Sequence, residues 1–97
     1  MEKTLLNKII AHYGQEEQVT KCVEECSELI KAICDYKLKA SYSSPEQLKG
    51  LIYQVQEEIA DVMIMAEQMA LIFGEEEVKK LVDYKLSRTE RRIRGMV

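Results

Sequence analysis

Four acids stand in two pairs of equal spacing: Glu25 with Glu28, and Glu58 with Asp61. Residues three apart on a helix are neighbours on one face. The first pair lies in the run VEECSELIKAI and the second in VQEEIADVMIMA, both strongly apolar. A carboxylate on a face that buries itself is costly unless it is paired or binds a metal. Four converging carboxylates repel one another without a cation. The direct physical reading is a divalent-metal site built by two helices. Ferritin-like bundles also use helix carboxylates, but their Glu-x-x-His motif is absent, and the sole histidine, His12, lies in an earlier segment. All-carboxylate ligands suit hard Mg²⁺ or Mn²⁺ rather than iron or zinc.

Helical geometry ranks these acids. At about 100° per residue, Leu51, Val55, Val62, Met65 and Met69 fall within about 80° of one another. Glu58 points into the middle of that sector, and Asp61 lies at its edge. On the earlier segment Val19, Cys22, Cys26, Leu29 and Ile33 share a stripe. Glu25 borders it, Glu28 lies further round, and Glu24 and Glu57 point outward. Glu58 is therefore the acid least compatible with a solvated position. Glu25 and Glu28 also suit a surface, paired with Lys21 and Lys31.

The elements that must position these acids read as helices. The 97 residues contain one proline and four glycines, and no strand alternation persists. A first helix runs from about Thr4 to Tyr13, ended by Gly14. A second runs from about Glu16 to Lys39, followed by a loop at 40–44. Ser44-Pro45-Glu46-Gln47 reads as a helix start, with Ser44 as N-cap, Pro45 at the first position and Gln47 completing a capping box. The third helix extends to Phe73, with Gly50 marking a bend or a later true start. Gly74 ends it. Glu75, Glu76 and Glu77 then open a fourth helix that runs to about Arg94. The expectation is one all-α domain, a bundle of about four helices whose two long members are antiparallel and carry the acids. The third helix has apolar residues around most of its circumference, including Ile52, Ile59, Met63, Ile64, Ala70 and Leu71. A chain this short leaves it uncovered, so a homo-oligomer, a dimer or tetramer, is expected to complete the bundle around Met63, Ile64 and Met69.

Bulk properties narrow the function classes. Charged residues make up 32% of the sequence, and the net charge is −3. With a sequence pI of about 5.2, the chain lacks the basic footprint of a nucleic-acid binder. The basic cluster Arg88, Arg91, Arg92 and Arg94 suits the negative end of a last helix. No apolar run reaches membrane-spanning length. The N-terminus carries no signal-peptide pattern, and three cysteines, Cys22, Cys26 and Cys34, read as reduced thiols of a cytoplasmic protein. Cys22 and Cys26 are one turn apart, which suits core packing better than a zinc ribbon.

The motif E-E-C-S-E at 24–28 followed by E-E-I-A-D at 57–61 resembles the paired ExxE and ExxD motif of the MazG-like all-α nucleoside triphosphate pyrophosphohydrolases. VMIMAEQMALIFG and then VDYKLSRTERR at 82–92 look like the small single-domain members, so the resemblance spans about residues 9–94. It implies Mg²⁺-dependent hydrolysis, with Mn²⁺ as an alternative, of a nucleoside triphosphate or its deoxy form to monophosphate and pyrophosphate. Glu25, Glu28, Glu58 and Asp61 match the metal-binding acids. Glu24 is the matching proton acceptor, or Glu25 if three acids hold the metal. The resemblance also assigns phosphate contacts to Lys85 and Arg88 of the last helix, and base contacts to His12, Tyr13 and Gln18. Ser87 and Arg88 stand where some relatives carry an asparagine. Two other classes fit the same residues: a helical interaction module whose acids bind no metal, and a metal-binding bundle without turnover.

Overall fold

Two glycines and one Ser-Pro step divide the chain into helices. The structure, a computed structural model, describes residues 1–95. These residues form four α-helices and no strand: α1 (Lys3–Tyr13), α2 (Gln15–Lys39), α3 (Pro45–Phe73) and α4 (Glu75–Ile93). The expected loop after α2 contains a short 3₁₀ turn, Ala40–Tyr42.

Each boundary has a local cause. Gly14 (φ 94°) and Gly74 (φ 123°) each end one helix and start the next. Only glycine adopts such backbone freely. Each donates its N–H backward, to Ile10 O at 2.8 Å and Ala70 O at 2.9 Å. Each carbonyl accepts forward, from Gln18 N and Val78 N, both at 3.1 Å. A single residue therefore satisfies both helix ends. At α3 the capping box forms in full: Gln47 N donates to Ser44 Oγ at 3.2 Å, and Ser44 N to Gln47 Oε1 at 2.9 Å.

Gly50 does not interrupt α3, contrary to the sequence expectation. A glycine inside a helix costs only about 1 kcal/mol relative to alanine, and the capping box just upstream anchors the first turn.

The packing is uneven. α3 lies mainly against α2, with α1 leaning on both. The buried residues are Leu6, Ile10, Ala32 and Met65, together with the polar Gln18, Glu25 and Gln68. No residue of α4 is buried, although Lys3 Nζ reaches Glu75 Oε1 at 2.7 Å. The apolar residues expected beyond the main stripe of α3 are uncovered: Ile52, Ile59, Met63 and Ile64 are all exposed. The accessible surface is 7632 Å², against about 5,700 Å² for a folded monomer of this mass. The radius of gyration is 17.1 Å, against about 12.5 Å for a compact chain of this length. Among the described residues no helix is long and apolar enough to cross a membrane.

Candidate metal centre

The acids are brought together by a fixed pairing of α2 with α3. Gln18 meets Gln68, Glu25 meets Asp61, and Glu28 meets Glu58. Seven residues along α2 from Gln18 to Glu25 match seven along α3 from Gln68 to Asp61; a further three on each helix reach Glu28 and Glu58.

Glu25, Glu58 and Asp61 each offer a carboxylate oxygen within 4.8 Å of the other two. Glu28 stands beside this group, close enough to act on the Glu58 carboxyl. Glu25 is the most buried of the four, at 8% exposure, whereas Glu58 and Asp61 are half-buried. The sequence put Glu58 deepest and Glu25 at a stripe border. The order is reversed because Glu25 faces Asp61 across the closest-packed part of the seam.

These carboxylates are crowded and under-partnered. Glu25 Oε2 and Glu58 Oε2 are buried without a hydrogen-bond donor. Lys21 Nζ stands 3.4 Å from Glu25 Oε1. Burial holds the Glu58 carboxyl above the ordinary carboxylate range, and the charges of Glu28, Asp61 and Glu25 push the same way. Burial also raises Asp61, as does Glu25, while Lys21 opposes the shift. A divalent cation removes this repulsion and gives the two orphaned oxygens a partner. The donor set is hard oxygen with no imidazole or thiolate, which fits Mg²⁺ or Mn²⁺. Glu25, Glu58 and Asp61 are the residues able to hold it, with Glu28 alongside.

One turn further along the seam lies a cleft of about 250 Å³, lined by Glu28, Lys31, Ala32, Asp35, Gln54 and Glu58. Lys31, Asp35 and Gln54 were not among the sequence candidates. Their spacing was a usable signal: Lys31 follows Glu28 by three and Gln54 precedes Glu58 by four. Lys31 Nζ pairs with Asp35 Oδ2 at 3.4 Å rather than with Glu28.

The other candidates are distributed differently. Glu24 is exposed and adjoins the cluster, its Oε2 3.9 Å from Lys21 Nζ. Gln18 is buried and donates to Gln68 Oε1 at 2.7 Å, so its amide is committed inside the seam. His12 is exposed and stands edge-on to Tyr13 at 4.6 Å. Lys85 is exposed. Arg88 lies over the Tyr84 ring at 5.6 Å, with its Nε buried and unpartnered. The cation acting on Asp61 is Lys21, not Lys85 or Arg88. α4 meets α3 but makes no comparable contact with α2, so one chain does not bring its cations to the acids.

No protein-family model, no curated protein and no solved structure matches this chain. What the site does must follow from its own atoms.

Proposed function

We propose that the protein is a Mg²⁺-dependent nucleoside triphosphate pyrophosphohydrolase of the MazG-like kind, releasing monophosphate and pyrophosphate. The observation that carries this reading is the convergence of Glu25, Glu58 and Asp61 with two orphaned buried oxygens. Those acids belong to the two motifs that resemble the family's.

Glu25, Glu58 and Asp61 hold the metal, with Glu28 completing or steering the set. A bound cation supplies charge neutralisation of the phosphates and a lowered pKa for water. Water adds at the α-phosphorus as the bond to the bridging oxygen breaks, and pyrophosphate leaves. The water's proton passes to a carboxylate not engaged with metal: Glu24, or Glu25 if the others suffice. The cleft beside Glu28 and Glu58 offers room for part of the substrate, with Lys31 at its wall. Mn²⁺ replaces Mg²⁺ in the same ligand set.

The assembly is part of the proposal. The matched steps along α2 and α3 support antiparallel pairing. Roughly 1,900 Å² of surface beyond the monomer norm supports a homodimer or homotetramer, since standard interfaces bury about 800 Å² per partner. Met63 and Ile64 on α3, with Met69, form one uncovered region. Leu81 and Leu86 on α4 form another. In such an assembly Lys85 and Arg88 reach phosphates bound on a second copy. The compartment proposed is the cytoplasm, where nucleoside triphosphates are found.

The test is turnover of the eight common ribo- and deoxyribonucleoside triphosphates with Mg²⁺. Pyrophosphate and monophosphate should appear in equal amounts and stop on chelation. Orthophosphate alone would assign another hydrolase class. Metal binding without turnover would leave a metal-binding bundle, and neither would leave a helical interaction module.

A further inference from the structure

The most buried residue identified in the chain is not apolar. Gln68 is 1% exposed, and its partner Gln18 is 7% exposed. Gln18 Nε2 donates to Gln68 Oε1 at 2.7 Å, and Gln68 Nε2 approaches Met65 Sδ at 3.8 Å. The pair bridges α2 and α3 two helical turns from Glu25 and Asp61, on the same faces. Around it the buried groups are Leu6, Ile10 and Met65. Apolar contacts are non-directional, so a seam of such side chains holds two helices together without selecting one register. A buried amide is different. It is satisfied only when its partner is opposite, and any slip leaves it desolvated and unpaired. A single buried polar position is known to set helix register at some expense of stability.

We propose that the Gln18–Gln68 pair selects the register of α2 against α3, and thereby sets Glu25 opposite Asp61 and Glu28 opposite Glu58. The two glutamines are positioning residues; they touch neither metal nor substrate. The first half of the proposal concerns the helices alone. The second half rests on the metal-site reading above.

The experiment replaces both glutamines by near-isosteric apolar residues, Gln18→Met with Gln68→Met. Exchanging both partners of a buried hydrogen bond for groups of similar shape is close to neutral for stability. The melting temperature should stay level or rise. The amide NMR spectrum should pass from one set of resonances to doubled or exchange-broadened signals in α2 and α3. Mn²⁺ affinity, followed by selective broadening around residues 25, 28, 58 and 61, should fall about tenfold or more, as when supports of metal ligands are removed. A single sharp set of resonances with wild-type Mn²⁺ affinity overturns the proposal. So does a parallel fall in melting temperature and affinity with one set of resonances, which marks a merely stabilising pair. If the wild-type protein binds no Mn²⁺, the metal-site reading fails, and the amide resonances still decide the register. If the methionine pair does not fold, Gln18→Leu with Gln68→Leu is read in the same way. Failure of both to fold shows that the pair supplies stability rather than register, and overturns the inference.

Discussion

α2 commits Gln18, Glu25 and Ala32 to a seam with α3, whereas α4 buries none of its residues from Glu75 to Ile93. Both helices are amphipathic in sequence. Val78, Leu81, Val82 and Leu86 recur along α4 at helical spacing, and all four are exposed. The difference is one of partner, not of pattern. α2 meets a complementary face in its own chain, and that meeting places three carboxylates within 4.8 Å. α4 leaves α3 at Gly74 and carries Lys85 and Arg88 away from the acids. A single copy thus builds the metal ligands but not the cations proposed for the phosphates. An apolar face states that a helix needs covering; it does not state what covers it.

The largest effect should come from breaking the seam's chemistry while sparing its packing. Glu58→Gln keeps size and shape but removes a ligand charge. Turnover should drop by about two orders of magnitude or more, beyond the loss typical of disturbing a ligand's support. The metal-free variant should fold and melt no lower than the wild type, because a carboxylate crowded by three others has been neutralised. Steady-state kinetics and calorimetry without metal decide this. Near-wild-type turnover would place the site elsewhere.

A somewhat smaller loss is expected from α4. Leu81→Asp with Leu86→Asp puts charge on its uncovered face and should lower the mass in light scattering to that of one chain. Turnover should fall with it, while Mn²⁺ binding at the acids persists. Lys85→Met with Arg88→Met should leave mass and metal binding intact and raise KM about tenfold, the size of one charge-assisted contact. If Leu81→Asp with Leu86→Asp stays assembled, α4 is not the covered face. If the basic pair changes nothing, α4 takes no part in phosphate binding.

The acids should also give the metal-free protein an inverted pH response. Glu58 and Asp61 have folded pKa values raised above the ordinary carboxylate range. A raised acid pKa means that the native state holds the proton more tightly than the unfolded chain. Its contribution is fully present below the ordinary range and is lost as pH rises through the folded value. For these two groups, stability in chelator should increase on acidification from neutrality toward the ordinary carboxylate range. Saturating Mg²⁺ should reverse the trend, because binding needs the ionised acids. Melting temperatures across that range, with and without Mg²⁺, check the sign. A metal-free protein that loses stability on mild acidification would show that the crowding is relieved in some other way.

Much of this arrangement was legible before any coordinates, for local reasons. The Ser44–Gln47 box, Gly14 and Gly74 act on their neighbours alone, so short windows reveal them. The convergence of Glu25 with Glu58 and Asp61 was readable because both pairs sit beside apolar stripes that must face something. The commitment of Gln18 to Gln68 was not readable, since no local pattern names a partner fifty residues away. Nor was the greater burial of Glu25 over Glu58, which depends on how closely two helices approach at one point. The course of α4 escaped for the same reason: its direction is set by the φ of Gly74 and by surfaces outside the chain.

The smallest effect contrasts two glycines, one inside the seam's helix and one at the root of α4. At Gly50 an added Cβ meets nothing within 4 Å, and its φ is not positive. Gly50→Ala should stabilise α3 by about 0.5–1 kcal/mol through reduced freedom of the unfolded chain. For a domain of this size that raises the melting temperature by about 3–6 °C, with turnover unchanged. At Gly74 the neighbours are equally tolerant, Glu77 Cγ lying 3.7 Å from the added Cβ, but φ is 123°. Gly74→Ala should therefore lose about 1 kcal/mol or more and disturb the departure of α4, lowering both mass and turnover. Matched melting curves for the two variants test the contrast. A stabilising Gly74→Ala would mean that this joint can adopt ordinary helical backbone, folding α4 back toward the acids. Lys85 and Arg88 would then belong to the site of their own chain.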